Sequence, residues 1–214
     1  MINRSYGQYC GLARALELVG ERWALLVVRD LFVGPKRFTD LHRGLPGIPT
    51  NILTARLKEL ERAGLVRREA IAEPTRAVVY ELTDQGRELE PTLTAFSRWG
   101  AKKLGEARDG EIVTPNSLVM ALRTTFRKEE ARGVHAGFEV HVGDIVIHAR
   151  VDGARVEVHE GALPRADLVI EAGPAIRTLM AGETTPSEAL DAGIIRIVRG
   201  DLSRLEQYAR LFHI

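Results

Sequence analysis

A row of short polar and basic side chains recurs at helical spacing between residues 50 and 62. Asn51, Thr54 and Lys58 lie three and four positions apart, so one face of a helix would carry all three, and Thr50 and Arg62 extend the row. An Asn amide or a Thr hydroxyl can pair with base edges in the major groove of DNA, and a lysine or arginine can meet phosphates. The spacing therefore predicts a DNA-reading helix. A merely solvated polar face, which is commoner for an isolated helix, is the alternative.

Other side chains with catalytic or metal-binding chemistry are few. Cys10 is the only cysteine, which excludes an internal disulfide and a thiolate-rich zinc site. His141, His148 and His159 alternate along predicted strands, but no carboxylate completes a metal site, so solvated cross-strand pairs are favoured. The sequence has no Ser-His-Asp series, phosphate-binding glycine loop or paired-acid motif. We therefore expect no enzymatic activity, no cofactor and no metal.

Apolar periodicity predicts the helices that would position the polar row. Two helices, which end at Gly20 and Gly34, precede a short helix, a tight turn and a helix that begins near Thr50. The last three features form a helix-turn-helix pattern. The apolar residues that mark the four helices are Leu12, Leu16 and Val19; Trp23, Leu26, Val27 and Leu31; Phe38 and Leu41; and Leu53, Leu57 and Leu60.

Two β-rich segments follow the predicted reading helix. Residues 65–71 and 77–83 are typical of strands, and the loop 72–76 between them contains proline and polar residues. A hairpin directly after a helix-turn-helix indicates a wing, and Arg76 would lie at its tip as a further DNA contact.

A series of short motifs occurs in order between residues 8 and 105. They are Cys10, Gly20-Glu21-Arg22-Trp23, Arg29-Asp30-Leu31, Arg37-Phe38-Thr39-Asp40-Leu41, residues 53–60, Gly64-Leu65-Val66 and Tyr80-Glu81-Leu82-Thr83. The series resembles the HxlR family of bacterial regulators. This resemblance implies a winged-helix dimer that binds an operator and represses or activates nearby genes. It also implies a dimerisation helix, here from Asp84 past Trp99, although that helix could instead pack within its own chain.

The same resemblance places Cys10 where some HxlR-type regulators sense oxidants or electrophiles. Sensing requires an exposed thiolate with a low pKa. A lone cysteine at a helix start is more often a small buried hydrophobe. The sequence leaves both interpretations open.

Charge and composition vary along the 214 residues. The net charge is +1, but residues 1–110 carry 18 basic and 14 acidic side chains, whereas residues 111–214 carry 12 and 15. An excess of cations in the first part fits contact with phosphates. The polar break at residues 106–111 predicts two domains, 1–110 and 111–214. With one cysteine, no signal-peptide pattern and no long apolar run, a cytoplasmic location is expected.

Beyond residue 110 the pattern becomes a helix, residues 117–132, followed by strands. Residues 138–142 and 145–149 alternate around a two-residue turn, which predicts an apolar face and an opposite face with Glu139, His141 and His148. Strands near 156–158 and 168–170 extend this to an antiparallel meander. Helices at 175–181, 186–192 and 202–212, with a strand at 194–198, would cover one face. The predicted fold class is α+β: a winged helix-turn-helix and an antiparallel sheet covered by helices.

Residues 190–197, leading to Gly200-Asp201, resemble the sterol-carrier-protein type of lipid-binding domain over about residues 115–212. The resemblance implies a tunnel between sheet and helices for a small apolar ligand. A plain apolar core is the alternative for the residues that would line it. These residues are Met120, Phe126, Phe138, Leu179, Met180, Tyr208 and Phe212.

The leading prediction is thus a homodimeric regulator that binds double-stranded operator DNA and responds to an apolar effector. A lipid or apolar-ligand carrier, with the winged helix as an interaction module, is the alternative from another class. An enzyme is the third, and it would need a catalytic group that the sequence does not supply.

Overall fold

The computed structural model describes residues 5–71 and 77–214. The chain separates into two units, Met1–Leu93 and Thr94–Ile214, so the division falls inside a helix and not near residue 110, where the polar break suggested it. The elements in order are α1 (Gly11–Val19), α2 (Ala24–Val33), β1 (Lys36–Arg37), α3 (Phe38–Gly44), α4 (Thr50–Arg62), β2 (Val66–Ile71), β3 (Ala77–Leu82), α5 (Asp84–Arg87), α6 (Glu90–Ala101), α7 (Pro115–Thr125), β4 (His135–Val142), β5 (Ile145–Asp152), β6 (Arg155–Glu160), β7 (Leu168–Ala172), α8 (Ile176–Met180), α9 (Pro186–Asp191), β8 (Ile195–Arg199) and α10 (Leu202–Leu211).

The helices of the first unit lie where apolar periodicity placed them. The stripe on α4 is buried as predicted, because Leu53, Leu57 and Leu60 are each at most 1% exposed. After α4 the chain turns at Gly64, whose φ of 72° favours glycine. The Leu65 N–H then donates to the Leu60 carbonyl at 3.0 Å, which satisfies one of the free carbonyls at the helix end.

A three-stranded sheet completes the first unit, in the order β1-β3-β2. The predicted hairpin is present, and its antiparallel register runs from Val66 opposite Leu82 to Ile71 opposite Ala77. The loop 72–76 lies outside the described residues. Strand β1 could not be predicted, because a strand of two residues is too short to show any alternation.

The helix predicted from Asp84 onward is divided in two. Thr83 Oγ1 accepts a hydrogen bond from the Gly86 N–H at 3.1 Å and caps α5, which ends after one turn. Pro91 lies in the first turn of α6, where backbone N–H groups have no acceptor within the helix. The absence of an N–H in proline therefore costs no helical hydrogen bond there. The apolar stripe is only half buried, since Leu93 is buried but Phe96 and Trp99 are 56% and 62% exposed.

The second unit contains a five-stranded sheet in the order β6-β5-β4-β7-β8. The β4–β5 hairpin has the predicted faces, with Phe138 opposite Ala149 and Glu139 opposite His148. The prediction of a purely antiparallel sheet is wrong, because β7 pairs with β4 in parallel. A meander would have placed β7 beside β6, but the connection at residues 161–167 carries the chain back to the other side of β4.

Helices cover one face of this sheet as predicted, although the first of them is shorter than expected. The chain leaves α7 at Phe126, which becomes extended and forms a bridge with Phe212. The Arg127 N–H donates to the Leu211 carbonyl at 2.8 Å, so pairing with the C-terminal segment replaces the continued helix. None of the helices in the described parts of the chain is both long and apolar enough to cross a membrane.

Candidate nucleic-acid interface

The position of α4 is fixed from its buried side. Besides the leucine stripe, Arg56 is 7% exposed, and its Nη1 lies 2.6 Å from Glu59 Oε2 and 3.3 Å from Glu21 Oε2. Glu21 lies between α1 and α2, so this ion pair ties α4 to the helices that precede it. Arg56 is not among the predicted site residues. Its spacing of three from Leu53 and four from Leu60 was the only signal that it would lie inward.

The opposite face of α4 carries the predicted polar row. Thr50, Asn51, Lys58 and Arg62 are exposed, and Thr54 is half-buried. Thr54 Oγ1 donates to the Thr50 carbonyl at 2.8 Å, which leaves its oxygen lone pairs and its methyl group for other contacts. In the described parts of the chain no hydrogen bond or ion pair is seen for the side chains of Asn51, Lys58 or Arg62. The structure therefore brings five of the six predicted DNA contacts onto one face, and the sixth, Arg76, lies outside the described residues.

The wing adds cations that the sequence analysis did not single out. Lys36 on β1 and Arg68 on β2 both register with Tyr80 on β3, so the two basic residues flank it on one face of the sheet. Arg68 is exposed, and the described residues offer it no ion pair. Arg67, by contrast, lies 2.7 Å from Glu81 Oε1 and is neutralised within the wing. Alternation along β2 and β3 could have indicated that Arg68 and Tyr80 share a face of the sheet. Lys36 could not be added to that face, because β1 is too short to be predicted.

Comparisons with known proteins identify the family to which this part of the chain is similar. The family model of the HxlR-like helix-turn-helix matches residues 18–108. The HTH-type transcriptional regulator sll1512 of Synechocystis sp. is 38% identical over 95 residues, 44% of this chain and 70% of that protein. YvaP of Bacillus subtilis, a second HTH-type regulator, is 37% identical over 89 residues, 42% of this chain and 82% of that protein. The chain belongs to the HxlR-like helix-turn-helix family.

A solved structure, that of the redox regulator HypR in its oxidized form, is 33% identical to this chain. The match covers 46% of this chain and 100% of HypR, with a TM-score of 0.42. The HxlR-like match contains α4 and both wing strands and ends before α7. The relatives are named as transcriptional regulators, a class that acts by binding DNA, and this supports a DNA-binding regulator here.

Cys10 occupies the N-cap position of α1, ahead of the residues that the HxlR-like family model matches, and is exposed. The backbone N–H groups of Ala13 and then Leu12, in the first turn of α1, lower the pKa of the Cys10 thiol. The interpretation of Cys10 as a buried small hydrophobe is therefore wrong for this chain. A sensing role stays a prediction.

The residues predicted to line an apolar tunnel all lie in the second unit and are buried. Their aromatic members pack on one another: the ring of Phe138 lies 5.7 Å from that of Tyr208 and 5.9 Å from that of Phe212. The surface pocket described below is lined by none of them. Burial is complete for Phe138, Tyr208 and Phe212 and at least 92% for Met120, Phe126, Leu179 and Met180.

The histidines form polar pairs on the open face of the sheet. His141 Nε2 lies 2.6 Å from Glu139 Oε1, and the rings of His148 and His159 lie 5.9 Å apart on neighbouring strands. His148 Nδ1 lies 2.8 Å from the Gly161 carbonyl. Within residues 5–71 and 77–214, no group of three or more His, Cys, Asp or Glu side chains could hold a metal ion.

Replacing Glu139 by glutamine is expected to change how stability depends on pH. Burial alone would raise the pKa of Glu139, but hydrogen bonds from His141 and from the Leu163 N–H outweigh it and lower the pKa. A carboxyl with a lowered folded-state pKa stabilises the fold above its unfolded-state pKa of about 4.3 and loses that contribution as the pH falls further. Glu139→Gln should therefore cost about 1–2 kcal/mol at neutral pH.

Urea unfolding at several pH values checks this expectation. The difference between Glu139→Gln and the unchanged protein should shrink as the pH falls below the unfolded-state pKa. Glu157→Gln, at an exposed position of β6, is the matched control and should change little. A difference that stayed constant down to strongly acidic pH would contradict the assignment of the charge to Glu139.

Proposed function

We propose that this chain is a sequence-specific transcriptional regulator of the cytoplasm that binds operator DNA as a homodimer. The observation that carries the proposal is the two-sided character of α4. One side is fixed by a fully buried leucine stripe, and on the other side Asn51, Lys58 and Arg62 have no side-chain partner in the described residues. A rigid helix with such a face fits the major groove.

The proposed contacts follow from the chemistry of each side chain. Asn51, near the N-terminus of α4, would read a base edge, because its amide offers both a donor and an acceptor. Thr54 would add its methyl group or an acceptor, since its hydroxyl proton is used within the helix. Lys58, Arg62 and Thr50 would bind phosphates. Arg76 is proposed to contact DNA from the tip of the wing.

Dimer formation is supported by apolar side chains that a lone chain leaves in water. On α1, Leu12 and Leu16 are 69% and 42% exposed. On α6, the rings of Phe96 and Trp99 stack with centroids 5.7 Å apart and are mostly exposed. Clustered apolar exposure of this kind marks interfaces. A two-fold dimer would then require an operator with two related half-sites about one helical turn, roughly 34 Å, apart.

The second unit is proposed to be the effector-binding part, of the sterol-carrier type. An effector controls DNA binding only by the difference in its affinity for the DNA-competent and the other state. One observation favours the second candidate function, a carrier of apolar ligands. The Tyr208 hydroxyl is completely buried and has no hydrogen-bond partner in the described residues. A bound ligand could supply that missing partner. For a ligand to reach this hydroxyl, the seven predicted lining residues, which are buried, would have to move apart and open a cavity.

The test first selects a DNA fragment that the unchanged protein binds. The affinities of the unchanged protein, Asn51→Ala and Lys58→Ala for this fragment are then measured by fluorescence anisotropy at several salt concentrations. Asn51→Ala should weaken binding by about 1–3 kcal/mol, roughly 5- to 150-fold, on that fragment. Lys58→Ala should weaken binding to all sequences and reduce the slope of log affinity against log salt by about one.

The matched control is Lys128→Ala, which removes the same charge from an exposed position of the second unit. It should leave both the affinity and the salt slope unchanged. If Asn51→Ala and Lys58→Ala bound DNA as tightly as Lys128→Ala, the regulator proposal would fail and the carrier would be favoured.

A further inference from the structure

The open face of the sheet in the second unit is partly covered by the connection between β6 and β7. The Leu163 N–H donates to Glu139 Oε2 at 2.6 Å, and the Gly137 N–H donates to Asp167 Oδ2 at 2.7 Å. Leu163 and Ala166 of this connection form a small buried cluster with Val169 of β7. This connection, residues 161–167, is therefore held against β4, and we call it the crossover loop.

A pocket of about 460 Å³ lies between the crossover loop and the strands β7 and β8. Its walls include the apolar side chains of Leu163, Pro164 and Val198. Glu139 and His141 also line it. The pocket is open to solvent, and its volume is within the range of sites that bind small molecules. The pocket lies on the other side of the sheet from the aromatic core that the sequence analysis had proposed as a ligand tunnel.

The charges around this pocket are not balanced. Glu139 is already held by His141 and by the Leu163 N–H, so its negative charge has partners. Arg165 and Arg199 also line the pocket, and no ion pair is seen for either of them in the described residues. The charge left without a partner is thus positive. Guanidinium groups bind carboxylates with two parallel hydrogen bonds, which makes an organic anion the best match.

The backbone at Arg165 supports a role for its side chain. Arg165 has a φ of 63°, in the left-handed region that glycine adopts without strain and other residues rarely adopt. The structure could turn the chain there more easily with glycine. The presence of arginine and not glycine at this position of the crossover loop therefore supports a role of its positive charge in the pocket.

We propose that this pocket binds a small organic carboxylate with an apolar body. The carboxylate would lie between Arg165 and Arg199, and the apolar body would lie against Leu163, Pro164 and Val198. The binding itself is independent of the DNA interface. Only the idea that the bound anion is the effector rests on the proposed function.

Phenylacetate is a suitable probe, and 2-phenylethanol is its neutral counterpart of similar shape. Isothermal titration of the full chain without DNA should detect phenylacetate binding at millimolar concentration and at least tenfold weaker binding of 2-phenylethanol. Backbone amide NMR shifts should change at Leu163, Val169 and Val198, and not at Tyr208. Arg165→Gly combined with Arg199→Gln should weaken phenylacetate binding at least tenfold.

Arg165→Gly also separates binding from folding, because relief of the left-handed backbone should leave the thermal midpoint unchanged or higher while binding weakens. Arg155→Gln, at an exposed position of the edge strand β6, is the control and should keep full affinity. No binding of phenylacetate, equal binding of the neutral probe, an equal loss in Arg155→Gln, or shifts centred on Tyr208 would each overturn the proposal. None of these results would affect the DNA-binding test, so the two proposals fail separately.

Discussion

Replacement of Phe138 by alanine is expected to lower the free energy of unfolding of the second unit by about 3–5 kcal/mol. Phe138 is fully buried on the central strand β4 and contacts the rings of Tyr208 and Phe212. Alanine would remove those contacts and leave a cavity that the surrounding helices and strands can fill only in part. Urea unfolding followed by near-ultraviolet circular dichroism measures the change.

Phe138→Leu is the control, because it keeps most of the volume and should cost less than about 1.5 kcal/mol. The comparison also distinguishes a packed core from a ligand tunnel. In a packed core the alanine variant loses far more stability than the leucine variant. A cost of less than about 1 kcal/mol for Phe138→Ala would indicate a loosely filled interior and favour the apolar-ligand carrier.

Replacement of Leu57 by alanine should cost about 2–5 kcal/mol in the HxlR-like part and should abolish sequence-specific DNA binding. Leu57 is 1% exposed and lies in the middle of the stripe that fixes α4. Without it the polar face keeps its residues but loses its fixed orientation, so base-edge contacts cannot form together. Amide hydrogen exchange of α4 and anisotropy on the selected fragment report stability and binding in the same sample.

Arg62→Ala is the matched control on the same helix. Arg62 is exposed, so its removal should change stability by less than about 0.5 kcal/mol while it weakens DNA binding through loss of a phosphate contact. If Leu57→Ala left both hydrogen exchange and binding unchanged, the buried side of α4 would not be what positions its polar side.

Local periodicity explains why much of the fold could be predicted from the sequence. The leucine stripe of α4 and the two faces of the β4–β5 hairpin repeat at the spacing of a helix and of a strand, and the structure has both. The parallel pairing of β7 with β4 could not be predicted, because a short connection carries no signal of the strand to which it returns. The end of α7 at Thr125 depends on a distant partner, Phe212.

The position of the polar row on α4 could be predicted from the sequence, whereas the ion pairs that hold the helix could not; the DNA contacts themselves stay a prediction. The polar row of α4 follows from residue types and spacing. From the sequence alone, Arg56 cannot be distinguished from a surface cation, because its ion pairs with Glu21 and Glu59 depend on the tertiary structure. Lys36 and Arg68 come together only through the register of a two-residue strand. The exposure of Cys10 depends on what α1 packs against, which no local pattern encodes.

The proposed regulator depends on recognition of a DNA sequence by the polar face of α4. The most direct measurement is selection of fragments of the source genome by the intact protein at a stated salt concentration, followed by sequencing of the bound fraction. We expect the bound fragments to share a motif of two related half-sites, and we expect Asn51→Ala to enrich this motif less strongly. Bound fragments without any common sequence, recovered equally well by Asn51→Ala, would contradict it.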